Sequence, residues 1–286
     1  MMIAGRRIGR DLSPYIVAEL GANHGGWLDR AQGIIRSAAA AGADAVKIQV
    51  YDPVTLAEAR GGAEKRLTSG LWAGRTLGEL YSAAATPRVW LPALFATAED
   101  EGITLFASVF EPADVDLLEG YHCPAYKIAS AEIARTDLIQ RAAATGKPLI
   151  ISAGMGDGND VSAALAAATG SDVALLHCVS EYPCPMGKAN LRRILDMRHI
   201  YGPRVEIGYS DHTARTEAAV AAVALGASII EVHVDGSWSG SGLDAAFSFT
   251  PDRLADLVEQ CHGVWKATQR SAAPSSYLGL KQRAMA

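Results

Sequence analysis

Two histidines in the last third of the chain are the residues best placed to do chemistry. Each closes a short apolar run: His212 ends VEIGYSDH, and His233 ends SIIEVH. One helix-like stretch separates the runs, so neighbouring parallel strands would bring both imidazoles to the same end of a sheet. Two imidazoles beside carboxylates can bind a divalent metal with open coordination positions. We therefore predict that this pair ligates a metal, although either histidine alone is better explained as a hydrogen-bonded strand-end residue.

The elements that position these histidines alternate regularly along the chain. The predicted strands are Tyr15–Glu19, Ala45–Val50, Thr104–Ser108, Ala125–Ala129, Leu149–Ser152, Val173–Cys178, Val205–Tyr209 and Ser228–His233. The predicted helices are Leu28–Ala41, Arg88–Glu101, Pro112–Gly120, Thr136–Thr145, Asp160–Ala168, Leu191–Tyr201, Thr213–Leu225 and Pro251–Ala267. Repeated strand–helix units over about 250 residues are typical of a (β/α)₈ barrel, the TIM barrel of the α/β class. No nucleotide-binding fingerprint favours an open doubly wound sheet instead.

We predict a single-domain barrel over residues 1–267 and a linker-like tail over residues 268–286. The long segment between Tyr51 and Arg88 is predicted to be a loop on the catalytic rim.

The composition narrows the class of protein. The 286 residues are 49% hydrophobic and 20% charged, as in an ordinary globular domain. A net charge of −5 without a polybasic run argues against a nucleic-acid partner. No apolar stretch has the length of a membrane span, and the amino terminus lacks a signal-peptide core. We expect a cytoplasmic protein with neither nucleic acid nor membrane as a partner. The four cysteines show no zinc-site spacing.

Polar residues follow nearly every predicted strand, where barrel enzymes carry their functional groups. In chain order they are Glu19, Lys47, Gln49, Ser108, Lys127, Ser130, Glu132, Ser152, Ser180, Tyr182, Ser210, His212, Glu231 and His233. Lys47 and Lys127 lie within apolar runs, and a buried lysine is costly unless it is paired or binds an anion. With the hydroxyls, these lysines can form a cradle for a phosphate and a carboxylate. Each serine alone is equally well explained as a strand-end or cap residue.

Two of these carboxylates have two interpretations. Glu19 and Glu132 could balance the charges of Lys47 and Lys127, which is a purely structural role. Alternatively, one of them could position a water or assist proton transfer near the metal. The residue types alone do not distinguish between these two roles. The catalytic candidates are therefore Glu19, Lys47, Lys127 and Glu132.

Seven segments resemble the phosphoenolpyruvate-dependent sialic acid synthases. They are AELGANHGG, GADAVKIQ, PAYKIASAEI, TGKPLIISAGM, LHCVSEYPCP, GYSDHT and ALGASIIEVH, in family order over about residues 15 to 250. The stretches TLGELYSAAATPRVW and GLDAAFSFTP are similar to the pseudaminic acid synthase branch. The resemblance implies a barrel that joins phosphoenolpyruvate to the open-chain aldehyde of an amino sugar, giving a 2-keto sugar acid and phosphate.

The resemblance also implies roles for individual residues. His212 and His233 would ligate Mn²⁺, with Mg²⁺ as the alternative, and Glu19 would act near the reacting carbons. The implied donor-binding residues are Lys47, Ser108, Lys127, Ser130, Ser152 and Ser210. The implied acceptor-side residues are Gln49, Tyr182 and Asp244, and Ser180 is a further substrate-binding candidate.

The chain departs from the family pattern on the acceptor side. Val232 stands where the family usually has lysine, and the usual Phe-Thr-Leu after the second histidine is replaced by Val234-Asp235-Gly236. The family usually continues into an antifreeze-like domain that reaches the partner subunit's site, and this sequence ends at Ala286. We expect an intact phosphoenolpyruvate half-site, an altered sugar half-site and a homodimer formed through helix faces. An unusual acceptor, such as a nucleoside-derived aldehyde, would fit the same changes.

Two alternatives remain open from the sequence. A metal-dependent aldolase or lyase could use pyruvate directly and would need no phosphate cradle. Schiff-base chemistry at Lys47 or Lys127 is a variant of that hypothesis. A catalytically inactive barrel that only binds sugar or phosphate is the third possibility.

Overall fold

The computed structural model describes residues 1–202, 205–236, 240 and 242–269, and its core is a closed barrel of parallel strands. Each strand pairs with the next along the chain, and the last closes onto the first. The strands are β1 (Tyr15–Glu19), β2 (Ala45–Val50), β3 (Thr104–Val109), β4 (Tyr126–Ile128), β5 (Leu149–Ser152), β6 (Val173–Cys178), β7 (Glu206–Asp211) and β8 (Ile229–His233). The predicted TIM-barrel fold is therefore confirmed.

The strand register places the polar residues side by side. His233 of β8 lies opposite Glu19 of β1, and Glu19 lies opposite Lys47 of β2. On the next pair of strands, Ser108 of β3 lies opposite Lys127 of β4. Because side chains alternate between the two faces of a strand, this register directs one layer of polar groups into the barrel interior.

Ten helices occur among the described residues. They are α1 (Leu28–Ala40), α2 (Pro53–Ala59), α3 (Leu77–Ala84), α4 (Leu91–Asp100), α5 (Pro112–Glu119), α6 (Thr136–Ala143), α7 (Gly158–Ala167), α8 (Arg193–Ile200), α9 (Thr216–Ala224) and α10 (Pro251–Thr268). Apart from those of α2 and α3, their alanine, leucine, isoleucine and valine side chains pack on the outer face of the barrel in one continuous core.

Two helices begin three residues later than predicted, each for a local reason. The stretch before α4 forms a short 3₁₀ turn over Arg88–Trp90, because Pro92 has no N–H to donate to the Arg88 carbonyl, which accepts from the Leu91 N–H instead. The segment before α9 is held in a turn, since Asp211 accepts hydrogen bonds from the backbone and hydroxyl of Thr213. Ala214 then has a φ of 52°, which a continuing right-handed helix cannot contain.

The segment after β2 is not the simple loop that was predicted. It contains α2 and α3, and we call residues 52–87 the β2 insert. Asp52 caps α2 by accepting a hydrogen bond from the Thr55 N–H, and a proline follows at the first helical position. Thr76 and Glu79 form a reciprocal capping box at the start of α3. The β2 insert does lie on the rim, as predicted, because several of its side chains line a cavity there.

The opposite end of the barrel is covered by an amino-terminal hairpin, Met2–Ile3 paired with Arg6–Arg7, which the sequence analysis did not identify. Ile3 and Ile8 are buried beneath it, and the Arg6 guanidinium lies 5.1 Å from the centre of the Tyr15 ring. None of the described helices is long and apolar enough to cross a membrane. Most of the predicted linker-like tail, from residue 270 onward, lies outside the described residues.

Candidate active site

A polar cavity of about 180 Å³ opens at the carboxyl ends of the strands. Its lining includes Lys47, Gln49, Ser108, Lys127, Ser130, Ser152, Cys178, Tyr182, Ser210, His212, Glu231 and His233. Fourteen residues were given a catalytic, substrate-binding or metal-ligating role, and ten of them line this cavity, whereas Glu19, Glu132, Ser180 and Asp244 do not. The ten lie on, or directly after, every strand except β1. We call this the inner cavity.

Lys47, Lys127 and Glu231, all buried, form the floor of the inner cavity, and a second buried carboxylate, Glu19, lies behind them. The Lys47 ammonium lies 2.7 Å from Glu19 Oε2 and donates to Ser108 Oγ at 3.0 Å. The Lys127 ammonium lies 3.3 Å from Glu231 Oε1, which is also 3.5 Å from Lys47 Nζ. Each lysine therefore has a carboxylate partner, as a buried charge requires.

Burial and these contacts change the pKa values of Glu231, Lys47 and Lys127. Burial tends to raise the pKa of Glu231, but Lys127, Lys47 and the Ser210 hydroxyl hold it at about 2. Burial tends to lower the pKa of Lys47, but Glu19 and Glu231 raise it overall. For Lys127, burial dominates and lowers the pKa despite the attraction of Glu231. The two lysines, similar in position, thus differ in how firmly they hold their protons.

Glu19 and Glu132 take different positions from those expected. Glu19 is fully buried and lies behind Lys47 and Gln49, whose amide donates to Glu19 Oε1 at 2.8 Å. It lines neither of the cavities at this face. Glu132 does not balance a lysine, because its carboxylate pairs with Arg60, the residue that caps the carboxyl end of α2. The prediction that Glu132 balances one of the two lysines was wrong, and Glu231 has that role.

The serines differ in what their hydroxyls contact. Ser210 Oγ donates to Glu231 Oε1 at 3.0 Å, and Ser130 Oγ accepts from the Met155 N–H at 2.6 Å. Ser152 Oγ is buried without a hydrogen-bond partner among the described residues. Ser180 is exposed and lies outside the lining of the inner cavity. A buried hydroxyl without a partner at a cavity wall is a group that a ligand can satisfy.

The two predicted metal ligands lie together at the mouth of the inner cavity. The ring centres of His212 and His233 are 5.7 Å apart. His212 Nδ1 lies 2.7 Å from the Val179 carbonyl oxygen, so it carries the proton and leaves Nε2 with a free lone pair. Burial, reinforced by His233, lowers the pKa of His212 to about 3, which keeps it neutral, as a metal ligand must be.

His233 is also suited to ligation. Its Nδ1 has no hydrogen-bond partner among the described residues and lies 3.4 Å from Asp244 Oδ2. Within the part of the chain that the structure describes, no group of three or more histidine, cysteine, aspartate or glutamate side chains is arranged to hold a metal ion. The residues therefore fit a metal held by two imidazoles, with the remaining positions left to water and substrate.

A second cavity of about 350 Å³, which we call the outer cavity, adjoins the first. Gln49, Tyr182 and His233 line both. Asp244 lies at its inner end and accepts a hydrogen bond from the Ala22 N–H at 2.8 Å. Burial tends to raise the pKa of Asp244, but His233 and this hydrogen bond lower it, so the group is a carboxylate. A polar inner cavity joined to a larger outer one can hold two substrates end to end.

Comparisons with known proteins place this site in a family. The sequence profile of the NeuB family matches residues 34–273. The chain belongs to the NeuB family. It is 37% identical to the pseudaminic acid synthase of Helicobacter pylori over 86% of this chain and 73% of that protein. The human N-acetylneuraminate-9-phosphate synthase is 32% identical over 92% of this chain and 73% of that protein.

A solved structure agrees with this membership. The N-acetylneuraminic acid (sialic acid) synthetase of Leptospira borgpetersenii superposes with a TM-score of 0.88 at 30% identity, covering 99% of this chain and 96% of that one. The resemblance identified from the sequence motifs is confirmed. This NeuB-family chain is a synthase of the kind that makes sugar acids.

Sequence reasoning missed three contributors to the site of this NeuB-family barrel. Glu231 was noted only as a strand-end residue, although its position two residues before His233 on β8 puts both side chains on one face. Cys178 lines the inner cavity, although the spacing of the cysteines indicated no role for it. The apolar wall of the outer cavity comes from the β2 insert, and no spacing in the sequence indicated which of its side chains point inward.

Proposed function

We propose that this protein condenses phosphoenolpyruvate with the open-chain aldehyde of an amino sugar to give an extended 2-keto sugar acid and phosphate. The observation that carries the proposal is the inner cavity. Two buried lysines and the Ser152 hydroxyl, which has no hydrogen-bond partner among the described residues, surround a space suited to a small anion there. Lysine ammonium groups and hydroxyls are typical ligands of phosphate and carboxylate oxygens.

The donor would bind in the inner cavity. Lys127, Ser130, Ser152 and Ser210 would hold the phosphate, and Lys47 with Ser108 would hold the carboxylate. Because Glu19 and Glu231 already neutralise the lysines, the cavity carries little net charge before the donor binds. Glu19 lies behind Lys47 and Gln49, which supports a role in orienting them rather than in touching the substrate.

The acceptor aldehyde would lie between the two cavities, beside Gln49, Tyr182, His212 and His233. The two histidines would hold Mn²⁺ or Mg²⁺, which when bound supplies Lewis-acid polarisation of the aldehyde oxygen. Holding both reactants in adjoining cavities turns a bimolecular encounter into a nearly unimolecular step.

The reaction would proceed in two stages. C3 of phosphoenolpyruvate attacks the aldehyde carbon, which forms the new carbon–carbon bond, and the aldehyde oxygen takes a proton to become a hydroxyl. Water then adds to the cationic C2 centre and releases one proton. Cleavage of the bond between C2 and the phosphate oxygen expels phosphate, which takes the proton of the C2 hydroxyl, and leaves the 2-keto group. Glu231 on the cavity floor can take up the proton lost by water, directly or through the lysines.

An acceptor screen tests this proposal. Purified protein with Mn²⁺ and phosphoenolpyruvate is given N-acetylated amino sugars, and both free phosphate and product mass are measured. We expect stoichiometric phosphate and a product with the mass of acceptor plus the three-carbon donor unit. Release of phosphate without a condensation product, or no turnover with any amino sugar, would contradict the proposal.

One observation favours a second candidate, an aldolase that uses pyruvate. The Lys127 amine is buried and its pKa is lowered, which is the condition for forming a Schiff base. Borohydride treatment in the presence of pyruvate distinguishes the two reactions by mass spectrometry. A reduced adduct on Lys127 would support the aldolase, and an unmodified lysine with phosphate release would support the condensation.

A further inference from the structure

The inner cavity contains a nucleophile that the proposed condensation does not use. Cys178 ends β6 and lies opposite Ser210 of β7, whose hydroxyl faces the barrel interior. Residues that are paired across neighbouring strands point to the same face, so the thiol also faces inward. It lines the inner cavity together with Lys127 and Ser152. A small molecule bound in this cavity would therefore meet a sulfur atom.

The other three cysteines are explained by packing. Cys123 and Cys261 are fully buried in the apolar core, and burial raises the pKa of each thiol to about 12. The Cys184 thiol is buried and donates to the Pro185 carbonyl at 3.5 Å. All four cysteines lie among the described residues, and Cys178 is the one that lines the inner cavity.

The Cys178 thiol has a defined place beside the proposed phosphate contacts. A Cβ at position 154 would lie 2.5 Å from Cys178 Sγ, so glycine is needed there to leave room for the sulfur. The same Cβ would lie 3.1 Å from Ser130 Oγ, which places the thiol and this hydroxyl in one corner of the cavity. A group attached to the sulfur would therefore fill space that the donor phosphate is proposed to occupy.

The surroundings of the thiol indicate which class of molecule the cavity would hold against it. Ser152 is 2% exposed, and its hydroxyl has no hydrogen-bond partner among the described residues, although it lines the same cavity. Lys47 and Lys127 add two ammonium groups to this lining. A buried hydroxyl without a partner, next to two ammonium groups, is suited to the oxygens of a small anion.

The protonation of Cys178 favours a bound reagent over one that merely collides with it. Burial raises the pKa of the Cys178 thiol, and Lys127 and the Ser130 hydroxyl oppose this only in part. Because the thiolate is the nucleophile, a thiol that stays mostly protonated at neutral pH reacts slowly with a diffusing reagent. A reagent that the cavity holds next to the sulfur gains from proximity, and the Lys127 ammonium stabilises the thiolate as it forms.

We propose that Cys178 is a covalent modification site for small anionic electrophiles, such as three-carbon 2-keto acids that carry a halide on C3. The sulfur attacks C3, so that one carbon–sulfur bond forms and one carbon–halogen bond breaks. The halide leaves, and the thiol proton passes to water. The attached acid then occupies the inner cavity and excludes phosphoenolpyruvate. The inference rests on the proposed function at one point, which is the identity of the donor that competes for this cavity.

The test is labelling by 3-bromopyruvate, followed by mass spectrometry of the intact protein and of its peptides. We expect one added three-carbon acid per chain, attached to Cys178. Bromoacetone is the matched reagent, because it has the same reactive carbon but no carboxylate. Once each rate is divided by the rate with free cysteine, 3-bromopyruvate should label Cys178 about tenfold faster, the gain that one charge-assisted hydrogen bond can give. Equal rates, or labelling mainly at other residues, would overturn the proposal.

Two variants locate the reaction. Cys178→Ser should prevent labelling by 3-bromopyruvate, whereas Cys184→Ser should be labelled at the wild-type rate, because that thiol packs against Pro185 outside the inner cavity. A thermal melt of each variant shows that it is folded. A folded Cys178→Ser protein that still takes up one acid per chain would overturn the assignment, and so would protection of the protein by Cys184→Ser.

Protection by phosphoenolpyruvate separates this inference from the proposed function. At about 100 times its dissociation constant, phosphoenolpyruvate should slow labelling of Cys178 about a hundredfold, because the occupied protein cannot react. Selective labelling without protection would support the modification site and contradict the assigned donor site. Turnover of phosphoenolpyruvate by a protein whose Cys178 resists labelling would overturn the modification site and leave the condensation in place.

Discussion

At the scale of single residues, the site combines groups that already have partners with groups that do not. Lys47, Lys127 and Glu231 satisfy one another, whereas Ser152 has a buried hydroxyl with no partner among the described residues. A group that already has a hydrogen-bond or ion-pair partner contributes both to the stability of the fold and to ligand binding. Its substitution therefore changes the free energy of unfolding and the ligand affinity together. A partnerless group contributes little to folding, and its removal isolates binding.

Ser152→Ala is therefore expected to separate affinity from stability. The free energy of unfolding should stay within about 0.5 kcal/mol of wild type, since no hydrogen bond is lost. The KM for phosphoenolpyruvate should rise about tenfold, which corresponds to about 1.4 kcal/mol of binding. Ser130→Ala is the matched control, because it also removes the acceptor of the Met155 N–H and should lower stability. Unchanged donor affinity in Ser152→Ala would contradict the assigned phosphate contact.

The two carboxylates Glu231 and Glu132 should respond differently to neutralisation. Glu231→Gln leaves the buried Lys127 without its carboxylate partner, whereas Lys47 keeps Glu19, and it should destabilise the fold by about 3 kcal/mol. Glu132→Gln should cost no more than about 1 kcal/mol, because its partner Arg60 is 30% exposed and keeps its hydration. Urea unfolding followed by circular dichroism measures both. Equal losses would mean that the two lysines are not balanced by Glu231.

At the scale of secondary-structure elements, regular patterns predicted more than irregular ones. The strands carrying Lys47 and His233 were predicted to end at Val50 and His233, as observed, because apolar runs in a parallel barrel are buried on both faces. The insert helices were missed, although Asp52-Pro53 and the Thr76–Glu79 pair are ordinary start signals.

The site was predicted less completely than the fold, for a physical reason. Strand alternation fixes which residues face inward, so the inner cavity followed from β2, β4, β7 and β8. The partner of a charged side chain depends on the shear of the barrel and on rotamers, which no local spacing encodes. Arg60 reaches Glu132 from a helix 72 residues away, and that choice could be seen only in three dimensions.

The capping box of α3 gives a prediction at this scale. Thr76→Ala removes the cap and should cost about 1 kcal/mol of stability. Because α3 carries two leucines of the outer cavity, the acceptor KM should rise while the phosphoenolpyruvate KM changes little. Asp157→Ala breaks the same kind of cap on α7, away from the outer cavity, and should cost similar stability without changing the acceptor KM. Steady-state kinetics with both substrates measure these constants. An unchanged acceptor KM in Thr76→Ala, or a raised one in Asp157→Ala, would contradict the prediction.

At the scale of the whole molecule, the site depends on the close packing of β7 against β8. Gly208 of β7 shows how closely these two strands approach, since a Cβ at this position would lie 2.7 Å from the Ile229 carbonyl oxygen. That strand leads to His212, and its neighbour β8 carries His233. Any substitution that moves β7 away from β8 therefore separates the proposed metal ligands.

Gly208→Ala should destabilise the protein by about 1–3 kcal/mol through overpacking and should weaken metal binding. Gly263→Ala is the matched control, because this exposed residue of α10 has no atom within 4 Å of the added Cβ. Alanine is also the better helix former, so Gly263→Ala should be neutral or stabilise the fold by up to about 1 kcal/mol. Chemical denaturation distinguishes them, and a neutral Gly208→Ala would show that the strand contact is not tight.

The most direct test of the central claim is thermal unfolding with phosphoenolpyruvate, with and without Mn²⁺. It compares the wild-type protein, His212→Ala and a control, His199→Ala, whose ring is exposed on α8. Phosphoenolpyruvate at about 100 times its dissociation constant should stabilise the wild type by about 2.7 kcal/mol. Mn²⁺ should increase that stabilisation in the wild type and in His199→Ala, but not in His212→Ala. Absence of stabilisation by millimolar phosphoenolpyruvate, or an equal Mn²⁺ effect in His212→Ala, would contradict the assigned donor and metal sites.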